Sequence, residues 1–132
     1  MGESVKLVED NSLCASEYGF EFKVCTHWYR SLPLSCVEKL AVQLDGENIE
    51  SQRIRFCVND KEHELDDLAD LVNEFWFVQD SAVVKIQLPG RVQVGQEHTI
   101  EVDLILRAPY IKIGPDRFLT MPAHYVSVQT AK

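Results

Sequence analysis

Much of what catalysis or export commonly needs is missing from this sequence. Its four cysteines, Cys14, Cys25, Cys36 and Cys57, contain no Cys-x-x-Cys pair. Zinc sites close a chelate loop with ligands roughly two to four residues apart, so the thiols read as reduced structural groups. The histidines His27, His63, His98 and His124 form no His-x-His or His-Glu-x-x-His pattern, so local spacing alone holds no two rings on one face. No Gly-x-Ser-x-Gly elbow and no phosphate-cradling glycine loop is present. No apolar run reaches about 18 residues, and the opening Met-Gly-Glu-Ser-Val-Lys has no apolar export core, which makes the cytoplasm the expected compartment. Gly2 is not followed by the Ser or Thr of a myristoylation signal, because Lys6 stands at that position. Cations are scarce: 13 Lys and Arg face 21 Asp and Glu, a net charge of −8. Neither a nucleic-acid backbone nor an anionic membrane attracts such a chain, so no nucleic acid and no membrane is expected as partner.

What the sequence does have is alternation. The 132 residues, 45% hydrophobic and 26% charged, suit a single globular domain over 1–132 with one substantial core. Tyr18, Phe20, Phe22, Val24, Thr26 and Trp28 share one parity, with Glu21, Lys23, Cys25 and His27 on the other. Successive strand side chains point to opposite faces, so this predicts a long half-buried strand with an aromatic inner face. Leu40, Val42 and Leu44 repeat the pattern up to Asp45-Gly46, a hairpin signal. Ile54, Phe56 and Val58 repeat it up to Asn59-Asp60, as do Val84, Ile86 and Leu88 up to Pro89-Gly90, and Ile100, Val102, Leu104 and Leu106. About six to eight strands with frequent turns predict an all-β fold, a two-sheet antiparallel β-sandwich of Ig-like or jelly-roll-like type. Residues 1–16 read as an N-terminal arm in which Val5, Leu7 and Leu13 pair at a sheet edge. Residues 111–132 read as an irregular tail, with Tyr125–Val128 returning as an edge strand.

One segment departs from this period. Leu65, Leu68, Leu71, Val72 and Phe75 recur at three- and four-residue spacing, which predicts one short helix of one or two turns with Asp66 and Asp67 at its N-terminus. Asp66, Asp70 and Glu74 then line one face, read as solvated acid rather than as a cation site. Two loops, by contrast, are too apolar for loops. Tyr29-Arg30-Ser31-Leu32-Pro33-Leu34-Ser35 interrupts the first alternation, and Pro33 supplies no ladder N–H. Ala108-Pro109-Tyr110 opens the tail.

The order of these elements resembles a known family. Tyr29-Arg30-Ser31-Leu32-Pro33-Leu34-Ser35-Cys36-Val37-Glu38, Asp45-Gly46-Glu47, Ile54-Arg55-Phe56-x-Val58-Asn59, Leu65-Asp66-x-Leu68, Trp76-Phe77-Val78-x-Asp80, Gly95-x-x-His98-x-Ile100-x-Val102 and Arg107-x-Pro109-Tyr110 are similar to the small β subunit of bacterial C-glycoside deglycosidases. The resemblance covers roughly residues 18–111. It implies a β-sandwich that binds a larger α subunit with a sugar-isomerase-like TIM barrel. That α subunit holds the acid/base groups and a divalent metal, assigned as Mn²⁺. The implied reaction of the complex cleaves the carbon–carbon bond between a 3-keto sugar and an aromatic aglycone, where the ketone acidifies the C2 proton. The resemblance carries no catalytic, metal-binding or cofactor-binding residue onto this chain. Given such a partner, the two apolar loops suggest an obligate hetero-oligomer in which Tyr29, Arg30, Leu32, Pro33, Leu34, Pro109 and Tyr110 meet it, since Tyr and Arg combine contact area with a directed polar group. Two other readings stand beside it: a stand-alone carbohydrate-binding sandwich, and an enzyme in its own right using His27 with acidic neighbours.

Overall fold

The computed structural model describes residues 6–132. Its strands are β1 (Cys14–Ser16), β2 (Gly19–Val24), β3 (Leu32–Pro33), β4 (Val37–Leu44), β5 (Glu47–Asn48), β6 (Ile54–Val58), β7 (Lys61–Glu64), β8 (Phe75–Trp76), β9 (Ala82–Gln87), β10 (Glu97–Gly114) and β11 (Arg117–Thr130). They form a five-stranded sheet ordered β1-β2-β9-β6-β7, a four-stranded sheet ordered β11-β10-β4-β5, and a small β3-β8 pair. All the strand pairs are antiparallel. The inner faces are the ones the alternation predicts: Phe20, Phe22 and Val24 of β2, Leu40, Val42 and Leu44 of β4, Ile54, Phe56 and Val58 of β6, and Ile100 to Leu106 of β10 are all buried. Removing each large apolar side chain from water contributes about 1.5–3 kcal/mol, so this shared core sets the all-β sandwich.

Three expectations need correction. The first strand stops at Val24 rather than running from Tyr18 to Trp28, because its pairing with β9 ends at Val24↔Ala82. At its start Gly19 has φ 147°, and a Cβ there would lie 2.2 Å from the Ile86 carbonyl oxygen of β9; only glycine fits so close an approach. The expected short helix is a 3₁₀ segment, Leu65–Asp70, with no side-chain cap. A 3₁₀ turn aligns every third residue, which groups Leu65, Leu68 and Leu71 against the core and leaves Val72 and Phe75 outside. Glu74 does not sit on a solvated acidic face: Asn59 and Lys61 bind it at 2.8 and 2.9 Å, and the Lys61 contact, then Asn59, holds its carboxyl below the usual range.

The third correction concerns the tail. Residues 111–132 are not irregular: β10 and β11 form one long hairpin paired from Glu97↔Thr130 to Gly114↔Arg117. Its alternation is masked because β11 buries polar Ser127 and Gln129 while Val126 and Val128 face water. Ala131 bonds to Gln96 and Gly95 while Lys132 bonds to Leu13 and Ala15. Two-residue alternation therefore points the backbone nitrogen of Pro122 to the open edge, where a missing N–H costs no ladder bond.

The arm closes against this hairpin. Val5 lies outside the described residues, whereas Leu7 and Leu13 are fully buried and Val8 bridges to Val24. The buried Gln129 amide binds the arm with both ends. Its Oε1 accepts from the N–H groups of Ser12 and Leu13 at 3.0 and 2.9 Å, and its Nε2 donates to the Glu9 carbonyl and the Ser127 hydroxyl. Nearby, two stretches far apart in sequence meet: Asp45, at φ 52° in the β4–β5 turn, binds His98 at 2.7 Å and accepts from the Thr99 N–H. The Thr99 bond, His98 and Arg91 together hold the Asp45 carboxyl below its ordinary range.

Candidate partner interface

At the other end of the sandwich the two apolar loops converge. The first is laced down along its far half. Leu32 pairs with Trp76 and Pro33 with Phe75, while the N–H groups of Leu34 and Ser35 donate to the carbonyls of Glu74 and Leu71. Ser31 Oγ accepts from the Val78 N–H at 2.8 Å. Trp76 is buried edge-on against Phe56 at 5.2 Å, and its indole N–H donates to the Asp80 carbonyl. Leu32 and Leu34, read from sequence as contact residues, are thus core residues at 5% and 0% exposure. They anchor the loop and are not available on its surface; Pro33 is half-buried.

The near half of the loop is held outward. Tyr29 is 68% exposed and Arg30 is exposed. The Trp28 ring lies 4.8 Å from that of Tyr29, and its indole N–H donates to the Tyr110 hydroxyl. The Arg30 guanidinium sits 4.5 Å above the Tyr110 ring, a cation–π contact. Desolvation among these rings pushes the Tyr110 phenol up, but Tyr29, Trp28 and the Arg30 charge outweigh it and leave the phenol below its ordinary value. Arg107, three residues before Tyr110, pairs with Glu38 and donates to the Ser35 carbonyl. The Arg-x-Pro-Tyr motif and the end of the Tyr-Arg-x-x-Pro-Leu motif are therefore one structural unit. Pro109 and Tyr110 are exposed beside it.

Sequence reasoning missed part of this end. Phe75 and Phe77 stack at 6.2 Å with 37% and 42% of their surfaces open, next to exposed Val72 and Val78. Pairing of Phe75 with Pro33 and the Ser31–Val78 bond tie this segment to the first loop. The run Phe75-Trp76-Phe77-Val78, apolar on both parities, was the available signal, since such a strand must bury both faces or show one. Trp28, assigned to a strand face, instead buttresses the cluster.

Catalytic and metal chemistry is not assembled among the described residues. His27 donates from Nε2 to the Met121 carbonyl at 2.8 Å, and burial lowers its pKa; among the described residues no carboxylate binds it. No three His, Cys, Asp or Glu side chains among the described residues converge to hold a metal ion, so these residues do not fit a metal centre. The four cysteines are free thiols, and burial pushes Cys25, Cys36 and Cys57 up. Among the described residues no helix is long and apolar enough to cross a membrane.

Fold and rim together define a class: a β-sandwich that shows aromatic rings and a guanidinium at one end, the make-up of an interaction module. Residues 3–110 match the family model described as C-glycoside deglycosidase beta subunit. The chain is 37% identical to the 3'-dehydrocarminate deglycosidase beta subunit of Microbacterium sp. over 83% of its length and 81% of that protein. It is 35% identical to a C-glycoside deglycosidase beta subunit of Arthrobacter globiformis, over 80% of each chain. A third such subunit, from Microbacterium trichothecenolyticum, is 32% identical over 83% and 82%. The chain belongs to the C-glycoside deglycosidase beta subunit family.

Proposed function

We propose that this chain is the β subunit of a heteromeric C-glycoside deglycosidase and that it works by docking its loop-bearing end onto a larger TIM-barrel α subunit. Family membership supports the role. The carrying observation is the convergence of two motif loops into an exposed Tyr29–Arg30–Tyr110 cluster, where Trp28 and the Arg107–Glu38 pair fix the shape before any partner arrives. Preorganised aromatic and arginine side chains lose little freedom on association, which is why they recur as binding hot spots. In this reading the α subunit holds the divalent metal, Mn²⁺, and the acid/base residues, and the pair cleaves the carbon–carbon bond between a 3-keto sugar and an aromatic aglycone in the cytoplasm. This chain stabilises or shapes the α subunit and supplies no catalytic group.

The test is reconstitution. The chain and the α subunit of the same organism are purified separately and together, and aglycone release from a 3-keto C-glycoside is followed. Turnover is expected from the pair and not from the β chain. Turnover by the β chain alone, or full activity of α with no β bound, sinks the proposal.

A further inference from the structure

β10 and β11 outrun the rest of their sheet. β4 follows β10 only as far as Val37↔Leu106; from Arg107↔Thr120 outward the two strands pair only with each other. The overhang closes at Pro115-Asp116, between paired Gly114 and Arg117, with φ preset at Pro115 and φ 58° at Asp116. From 109 to 118 only Ile111 and Gly114 are even partly covered. A lone two-stranded ribbon is marginal in water, yet this one presents Ile113 at 57% and Phe118 at 37% exposure, with Tyr110 at its root at 43%.

Its charge also differs from its surroundings. Arg107, Lys112 and Arg117 stand against a single acid, Asp116, in a chain of net charge −8. Among the described residues Lys112, Arg117 and neighbouring Arg30 have no salt bridge. The family match ends at residue 110, the root of the ribbon, so the matched part of the rim stops where the ribbon begins.

We infer that residues 109–118 form a docking arm that enters an acid-rimmed apolar groove on the α subunit. The inference rests on the subunit reading above and extends its contact surface beyond the motif loops. The occupant is the α subunit because the arm springs from Tyr110, where Tyr29 and Arg30 already gather, so one partner covering that cluster also covers the arm. Free Lys112 and Arg117 then require carboxylates around the groove.

The experiment compares the full chain with two double variants, Ile113→Ser/Phe118→Ser and Lys112→Glu/Arg117→Glu, titrated calorimetrically onto the α subunit of the same organism. Melting curves verify that each variant folds. Each pair is expected to weaken binding by at least about tenfold, and the loss in the charge variant is expected to shrink as salt rises. Undiminished affinity in either folded variant overturns the inference. So does concentration-dependent self-association of the wild type that Ile113→Ser/Phe118→Ser abolishes, since the arm then serves a second copy of this chain. Wild type that does not bind the α subunit at all is a separate result: it overturns the subunit reading itself.

Discussion

At the Glu97 end of β10, polar groups are answered from within the chain. Gln129 binds the Ser12 and Leu13 N–H groups and the Glu9 carbonyl, Asp45 takes both His98 and the Thr99 N–H, and the last residues pair with the arm. At the Tyr110 end of the sandwich Tyr29, Arg30, Phe77, Ile113 and Phe118 face water. Hydrogen bonds there hold loops in place without covering them. Buried polar groups left unanswered cost stability, so the first end is built for folding. Exposed aromatic groups fixed in advance contribute little to folding and much to association, so the second end is the one the proposed docking uses.

The widest separation between the two ends should come from Gln129→Leu. It removes the partners of several buried backbone groups at once and is expected to cost about 3 kcal/mol of unfolding free energy in urea titration, while leaving affinity for the α subunit unchanged. A cost below about 1 kcal/mol would show that the arm finds other partners. Next comes Arg30→Ala/Tyr110→Ala, expected to weaken α binding by about 30-fold with stability altered by less than about 1 kcal/mol. A variant that unfolds but still binds would reverse the assignment of the two ends.

A smaller effect is expected from Asp45→Asn, which keeps an acceptor for Thr99 and tolerates the positive φ. The wild-type carboxyl has a lowered pKa, so its contribution is present above the ordinary carboxylate range and lost as pH falls through the lowered value. The variant should flatten that acid limb in melting temperature against pH; an unchanged limb contradicts the prediction. The smallest comes from His124 on the outer face of β11, whose pKa is raised by Asp103 and then Glu101. Its contribution is full below the ordinary histidine value and lost as pH rises through the raised one. Because the side chain is half exposed, His124→Gln should remove less than about 0.5 kcal/mol, seen as a smaller gap in melting temperature between mildly acidic and alkaline buffer.

The strands of the core were legible because period-two alternation is a local property, written out in full between Gly19 and Leu106. Of the long hairpin beyond Leu106 only the edge strand at Tyr125–Val128 was, since β11 buries polar Ser127 and Gln129 while Val126 and Val128 face water, and the overhang buries almost nothing. Its apolar residues therefore fall on no parity. Among the proposed contact residues, Tyr29, Arg30, Pro109 and Tyr110 were readable as apolar or hot-spot types in loops. Leu32 and Leu34 look identical in that respect, and only their pairing with Trp76 and Glu74 turns them inward.

By itself the sequence determined the class of fold, the inner faces of β2, β4, β6, β9 and β10, and the family, because these depend on residue type and spacing along the chain. Tertiary structure alone decided that Arg107 reaches Glu38, that Arg30 lies over Tyr110, that His98 finds Asp45 and that Gln129 holds the arm. Each of those pairs is separated by at least 53 residues, and no local period records a contact made only when two sheets close on one core.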